Sequence, residues 1–94
     1  MGERLKGKVA IVFGAGQMPG PNIGNGRACA ILYAREGARV ACVDLDRGVA
    51  EETRQMIERD GGRAIALQAD VTRETDCREA IDACVAAFGP IDIL

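Results

Sequence analysis

The segment from residue 14 to residue 28 is rich in glycine and follows an apolar run at residues 8–13. Such a segment between a buried strand and a helix is typical of a phosphate-binding loop. Glycine lets the backbone turn sharply and approach a pyrophosphate, whose charge the free N–H groups at the start of the helix can receive. A Walker-type loop is excluded, because no Gly-Lys-Ser/Thr sequence follows. Taken alone, the segment could also be an ordinary connection between a strand and a helix.

Two aspartates follow the next two apolar runs. Asp44 ends the second run, where a carboxylate can accept hydrogen bonds from both hydroxyls of an adenosine ribose. Its neighbour Leu45 is included in the predicted site. Asp70 and Val71 follow the third run and would place a polar acceptor and an apolar wall near an adenine ring.

Each aspartate also has an ordinary structural interpretation. Asp44 could be a solvated strand end or the N-cap of the second helix, and Asp70 could be a turn or cap residue. The glycine segment and both aspartates, however, come at the carboxyl ends of successive predicted strands. Together they predict a nucleotide-binding site at that edge of a sheet.

The charge of the predicted ribose ligand bears on which dinucleotide would bind. A carboxylate at Asp44 would meet like charge in the 2′-phosphate of NADP, so we predict NAD as the cofactor, with NADP less favoured. Arg47 is near enough in the sequence to offset part of this repulsion, and Arg27 could reach a phosphate.

The elements that must position these residues follow from the changing period of the apolar pattern. Short continuous apolar runs predict strands buried on both faces, and amphipathic runs between them predict helices. The predicted strands are residues 8–13, 40–43, 64–67 and 91–94, and the predicted helices are residues 27–36, 47–60 and 72–88, with Thr72 as the cap of the third helix. This order predicts an α/β fold, a Rossmann-like doubly wound parallel sheet that ends after its fourth strand. With strand order 3-2-1-4, the first two helices would cover one face and the third helix the other.

Length and composition limit the classes to which the chain can belong. Its 94 residues allow one domain, predicted over residues 1–94, and 48% apolar with 28% charged residues is typical of a soluble globular protein. The 12 basic and 14 acidic residues are interspersed, which indicates neither a nucleic-acid nor a membrane partner. No apolar run approaches the length of a membrane span, and the amino terminus does not resemble a secretion signal. We therefore expect a cytoplasmic protein.

The residue types missing from the sequence exclude several chemistries. There is no serine and no histidine, so Ser–His nucleophilic catalysis and a histidine general base are excluded for this chain. The four cysteines have no C-x-x-C spacing, so no metal site is predicted. We expect all four to be small buried hydrophobic residues in a reducing compartment.

With these residues in hand, the chain resembles the short-chain dehydrogenase/reductase family over essentially its whole length. The likeness rests on the strand start at residues 6–12, the G-x-x-x-G-x-G loop, Ala-Arg-Glu-Gly-Ala at 34–38, Val-Asp at 43–44, Ala-Asp-Val-Thr at 69–72 and Phe-Gly-Pro-Ile-Asp at 88–92. By resemblance, the nucleotide-binding residues are Gly14, Gly24 and Gly26 in the loop, Asp44 at the ribose, and Asp70 with Val71 at the adenine. Asn25, between the last two glycines, is included in the predicted site.

The loop departs from the usual pattern of that family. It is longer than the common form around residues 18–23, Phe13 stands where threonine is usual, and Asn25 replaces an apolar residue. Gly20 also fits the spacing with the last two glycines. We favour Gly14 as the first glycine of the loop because it directly follows the strand.

The residues that carry catalysis in this family are not in the chain. The family's Asn-Asn-Ala-Gly segment, serine and Tyr-x-x-x-Lys would lie beyond Leu94, and Tyr33 is followed four residues later by Gly37 and not by lysine. By resemblance, a longer parent would be an NAD-dependent oxidoreductase and a homo-oligomer. It would pass hydride between NAD and an alcohol or carbonyl substrate. A tyrosine whose pKa is lowered by a neighbouring lysine would exchange a proton with the substrate oxygen. This chain would be its cofactor-binding part.

Two other functions use a similar set of residues. A methyltransferase domain would bind S-adenosylmethionine with a glycine loop, a carboxylate on the second strand and an aspartate beside the adenine. A non-catalytic nucleotide-binding module would need the same site and no catalytic residues. The size of the loop and the family resemblance favour the dinucleotide over S-adenosylmethionine.

Overall fold

A computed structural model describes residues 4–14 and 25–93 of the chain. Strands and helices alternate as predicted. The elements are β1 (Val9–Phe13), α1 (Asn25–Arg35), β2 (Arg39–Asp44), α2 (Arg47–Arg59), β3 (Arg63–Gln68) and α3 (Glu74–Phe88). The predicted α/β class and its parallel sheet are confirmed, with boundaries that shift by one or two residues.

The three strands form a parallel sheet in the order β1-β2-β3. In place of a full fourth strand there is one parallel bridge, between Ala10 of β1 and Ile93. Here the Ile11 N–H donates to the Ile93 carbonyl at 2.9 Å, and the Ile93 N–H donates to the Val9 carbonyl at 3.0 Å. Because this contact lies on the side of β1 away from β2, the end of the described chain occupies the position predicted for strand 4.

Each face of the sheet has its own apolar core, because side chains alternate along every strand. Val40, Cys42 and Ile57 belong to the core under α1 and α2, and each is at most 1% exposed. Ile11 and Val43 point the other way, into the core under α3. The predicted division of two helices on one face and one on the other is confirmed.

The start of α3 differs from the prediction. Thr72 does not cap the helix, because its hydroxyl donates to Asp70 Oδ1 at 2.6 Å in the turn before the helix. The N-cap is Arg73, which makes no side-chain cap hydrogen bond, and α3 begins at Glu74. The local turn at Asp70 therefore uses the hydroxyl that was expected to serve the helix.

The cysteines also differ in part from the prediction. Cys42 and Cys84 are buried, and burial raises the pKa of Cys42 to about 12, which keeps this thiol protonated. Cys29, in contrast, is exposed on α1, and Cys77 is half-buried. The expectation of four buried cysteines was wrong for Cys29, because its position on the helix lies outside the stripe that meets the sheet.

Helices long and apolar enough to cross a membrane are absent from the described ranges. Within the same ranges, no three histidine, cysteine or acidic side chains are arranged to hold a metal ion.

Candidate nucleotide-binding edge of the sheet

The carboxyl ends of the three strands lie side by side at one edge of the sheet. The register pairs Phe13 with Val43 and Val43 with Leu67, so the residues that follow these three leave the sheet together. Beyond them, the Ala69 N–H donates to the Asp44 carbonyl at 3.0 Å, which joins the ends of β2 and β3. Gly14, Asp44 and Asp70, the first residues of the three predicted site segments, are thus brought to the same edge.

The described part of the glycine segment fits a sharp turn after β1. Gly14 has φ +71°, a conformation that side-chain-bearing residues rarely adopt, so glycine is required by the backbone here. Gly20 and Gly24 lie outside the described residues. Asn25 and Gly26 form the first turn of α1.

Asp44 is half-buried at the last position of β2 and is not the cap of α2. Its Oδ1 accepts the Asp46 N–H at 2.9 Å. The cap is Asp46, whose Oδ1 accepts the N–H groups of Gly48 at 2.8 Å and of Val49 at 3.4 Å. The alternative role of Asp44 as an N-cap is therefore filled by another residue.

Two large apolar side chains are exposed at this edge. Leu45 is 65% exposed after β2, and Val71 is 60% exposed after β3. The side-chain amide of Gln68 donates to the Leu45 carbonyl at 3.1 Å, so the backbone that carries Leu45 is tied to the end of β3. Apolar side chains that stand in water beside carboxylates form a surface on which a flat, partly polar ligand can lie.

Asp70 is held by the turn that it forms. Its Oδ1 accepts the Thr72 hydroxyl at 2.6 Å and the Thr72 N–H at 2.9 Å, while its own N–H donates to Asp76 Oδ2 at 3.0 Å. The hydrogen bonds from Thr72, first from the hydroxyl and then from the N–H, hold the pKa of the Asp70 carboxyl below its usual value. Asp70 is thus an ionised acceptor with a fixed orientation at neutral pH.

Replacing Thr72 with valine should raise the pKa of Asp70 towards that of an ordinary aspartate. The valine retains the N–H but removes the hydroxyl, which is the largest cause of the lowered pKa. A carboxyl-detected NMR titration of Asp70 measures this directly, with Thr75→Val, an exposed threonine of α3, as the matched control. An Asp70 pKa unchanged by Thr72→Val would show that the hydroxyl does not stabilise the carboxylate.

Arg27, near the end of the glycine segment, was considered as a possible phosphate ligand, but its side chain is directed towards α2. Its side chain is 5% exposed, its Nε donates to Thr53 Oγ1 at 3.0 Å, and its Nη2 approaches the Val49 carbonyl at 3.4 Å. Arg27 is therefore a buried link between α1 and α2. Arg47 is exposed at the first position of α2, three residues after Asp44.

Sequence reasoning missed two residues that shape this edge. Asp46 was not considered as a cap, although an aspartate directly before a helix is a strong N-cap signal. Gln68 was not considered at all, and a glutamine at a strand end carries no signal of a bond to a neighbouring loop.

Comparison with known proteins agrees with this fold. The family model described as "short chain dehydrogenase" matches residues 8–94. The chain is 42% identical over 92 residues to "Uncharacterized oxidoreductase YhdF" of Bacillus subtilis (strain 168), covering 97% of this chain and 30% of that protein. It is 40% identical over 88 residues to "Short-chain dehydrogenase/reductase homolog YusS" of the same organism, covering 93% of this chain and 75% of that one.

A solved structure gives the same result in three dimensions. The crystal structure of a hydroxysteroid dehydrogenase from Escherichia coli matches with a TM-score of 0.89 and 35% sequence identity, over 97% of this chain and 36% of that one. This chain therefore spans about a third of the length of several relatives that it matches. The family match, the identity to relatives and the shared fold show that the chain belongs to the short-chain dehydrogenase/reductase family and corresponds to its amino-terminal, Rossmann-like portion.

Proposed function

We propose that this chain binds NAD at the carboxyl edge of its sheet. Asp44 would accept hydrogen bonds from the adenosine ribose, Leu45 and Val71 would lie against the adenine, and Asp70 would be a polar acceptor beside it. The glycine segment, with Gly14, Gly24, Asn25 and Gly26, would receive the pyrophosphate. The observation that carries the proposal is the position of Asp44 at the end of β2. Its carbonyl accepts the Ala69 N–H beyond β3, and Leu45 and Val71 are exposed after these two adjacent strands.

The residues at this edge fit a dinucleotide in chemistry as well as in position. An adenosine has an apolar ring and a polar sugar, and the edge offers exposed Leu45 and Val71 beside the carboxylates of Asp44 and Asp70. The positive φ of Gly14 turns the chain away at the end of β1, as a close approach of a phosphate to the backbone requires. When bound, a nicotinamide group supplies hydride transfer.

The choice of NAD over NADP rests on charge. The 2′-phosphate of NADP would lie near the carboxylate of Asp44, and like charges repel most strongly where water is partly excluded. Arg47 is exposed three residues away and offsets some of this repulsion. We expect NAD to bind roughly tenfold more tightly than NADP.

Calorimetric titration of the purified chain with NAD, NADP and S-adenosylmethionine tests the proposal. We expect saturable binding of NAD, weaker binding of NADP and no binding of S-adenosylmethionine. Tighter binding of S-adenosylmethionine, or no binding of any of the three to protein shown by circular dichroism to be folded, would contradict the proposal.

For a longer parent protein we propose an oxidoreductase that passes hydride between NAD and an alcohol or carbonyl substrate. Within it, the residues of this chain would hold and orient the cofactor. A cytoplasmic location and a homo-oligomeric parent remain predictions from the sequence, and chromatography of the parent with light scattering would test the second.

A further inference from the structure

Three basic side chains that are far apart in the sequence come together at the amino edge of the sheet, opposite the candidate nucleotide site. Arg39 and Arg63 are the first residues of β2 and β3 and are register partners. Lys6 lies beside them in one open groove of about 420 Å³. All three residues are exposed. We call this feature the amino-edge groove.

The three cations of the amino-edge groove form no ion pair within the described ranges of the chain. No carboxylate of residues 4–14 or 25–93 forms an ion pair with Lys6, Arg39 or Arg63, whereas Arg35 at the rim is paired with Asp60 at 3.3 Å. Like charges that face each other on neighbouring strands are destabilising. The whole chain has a net charge of −2, whereas this groove carries an excess of positive charge.

Part of the wall of the amino-edge groove leaves the backbone open, whereas Gly37 and Gly62 in the same wall are covered by Lys6 and Ile57. Gly7 and Gly61 line it with φ of +82° and +87°, and no atom lies within 4 Å of where a Cβ would stand on either. A ligand could therefore approach the main chain as well as the cations. The volume matches a small molecule, because ligand pockets range from about 300 to 1,000 Å³.

We propose that the amino-edge groove binds the oligophosphate group of a small metabolite. Two arginine forks and one lysine ammonium within one groove match a chain of phosphates, which offers several anionic oxygens in a row. Binding would also relieve the repulsion between Arg39 and Arg63. The proposal does not depend on the nucleotide site, since the two lie at opposite ends of the strands.

Titration of the ¹⁵N-labelled chain with tripolyphosphate, followed by NMR, tests the proposal. We expect saturable shifts of the Gly7, Gly37 and Gly61 amides, and a roughly tenfold loss of affinity in Arg39→Gln and in Arg63→Gln. Arg78→Gln is the matched control, because this arginine is exposed on α3 away from the groove. Non-saturable shifts, or equal losses in the control, would overturn the proposal.

Two further ligands, tricarballylate and ATP, test whether the amino-edge groove prefers phosphate and which molecule supplies it. Tricarballylate carries three carboxylates, and its binding as tightly as tripolyphosphate would contradict the preference for phosphate. ATP that shifts the same amides with higher affinity would support the proposal with a nucleotide as the source of the phosphates. Equal affinity would support it with a free phosphate chain as the source.

Measurement of Tm with and without tripolyphosphate distinguishes a ligand-binding role of Arg63 from a role in stabilising the fold. Without ligand, Arg63→Gln should raise Tm by about 1–3 °C, because it removes the repulsion from Arg39. With saturating tripolyphosphate, the variant should gain less stability than the original chain. A Tm lowered by the substitution without ligand would mean that Arg63 supports the fold and would count against the proposal.

Discussion

Replacing Asp44 with alanine should weaken the binding of NAD to this chain by roughly a hundredfold. A hydrogen bond to a charged group contributes about 1.5–3 kcal/mol, and the proposed site has two such bonds, one to each ribose hydroxyl. Even at the low end, their loss amounts to about 3 kcal/mol, or about two powers of ten in affinity. Calorimetric titration of the original chain and the variant measures the difference.

Two further variants make this result specific. Asp44→Asn retains the size of the side chain and removes its charge, so it should lose less affinity for NAD and narrow the preference over NADP. Asp82→Ala is the matched control, since Asp82 is an exposed aspartate within α3 and is not part of the proposed site. Equal affinities of Asp44→Ala and the original chain would contradict the ribose role of Asp44.

Replacing Ile11 with alanine should lower the free energy of unfolding by about 2–5 kcal/mol. Ile11 is 0% exposed in the core under α3, and its backbone N–H bonds to Ile93. Because the Ile11 side chain is fully enclosed, its replacement by alanine leaves a cavity that the surrounding side chains fill only in part. A chain of this size has an expected total stability on the order of 5–15 kcal/mol, so the loss would be a large part of it.

Urea denaturation monitored by circular dichroism measures this loss. Leu32→Ala is the control, because Leu32 is a large apolar residue that is 57% exposed on α1. We expect its free energy of unfolding to change by less than about 0.5 kcal/mol. Similar changes for both variants would mean that the core under α3 does not stabilise the fold as its burial indicates.

The order of elements and the two-sided sheet could be predicted from the sequence for a physical reason. A strand buried on both faces must be apolar throughout, as Val40 to Val43 are, and a helix on such a sheet must be apolar along one stripe. Parallel strands linked by helices then have few allowed arrangements. The family resemblance added the identity of the site residues to this framework.

Features that depend on exact side-chain direction could not be predicted in the same way. Asp44 and Asp46 are equally plausible caps by composition, and only the backbone at Asp46, with φ −99° and ψ 111°, aims its carboxylate at the first N–H groups of α2. Arg27 was considered as a residue that could reach a phosphate. Its hydrogen-bond partner Thr53 lies on another helix, and no local pattern in the sequence indicates this pair. The exposure of Cys29 also depends on which side of α1 faces the sheet.

The cluster of cations in the amino-edge groove could not be predicted from the sequence either. Basic and acidic residues are interspersed along the sequence, so the sequence alone indicates no concentration of positive charge. Parallel pairing nevertheless places Arg39 against Arg63, because each begins its strand. A concentration of charge that arises from register is visible only once the strands are aligned.

The most direct test of the central claim, that the carboxyl edge binds NAD, is to map NAD onto the ¹⁵N-labelled chain by NMR. We expect the largest shifts at the amides of Gly14, Leu45 and Val71, with smaller shifts at Gly37 and Gly61 on the opposite edge. The shifts should saturate and should shrink in Asp44→Ala. Saturable shifts confined to the amino edge, or to the outer faces of the helices, would contradict the account.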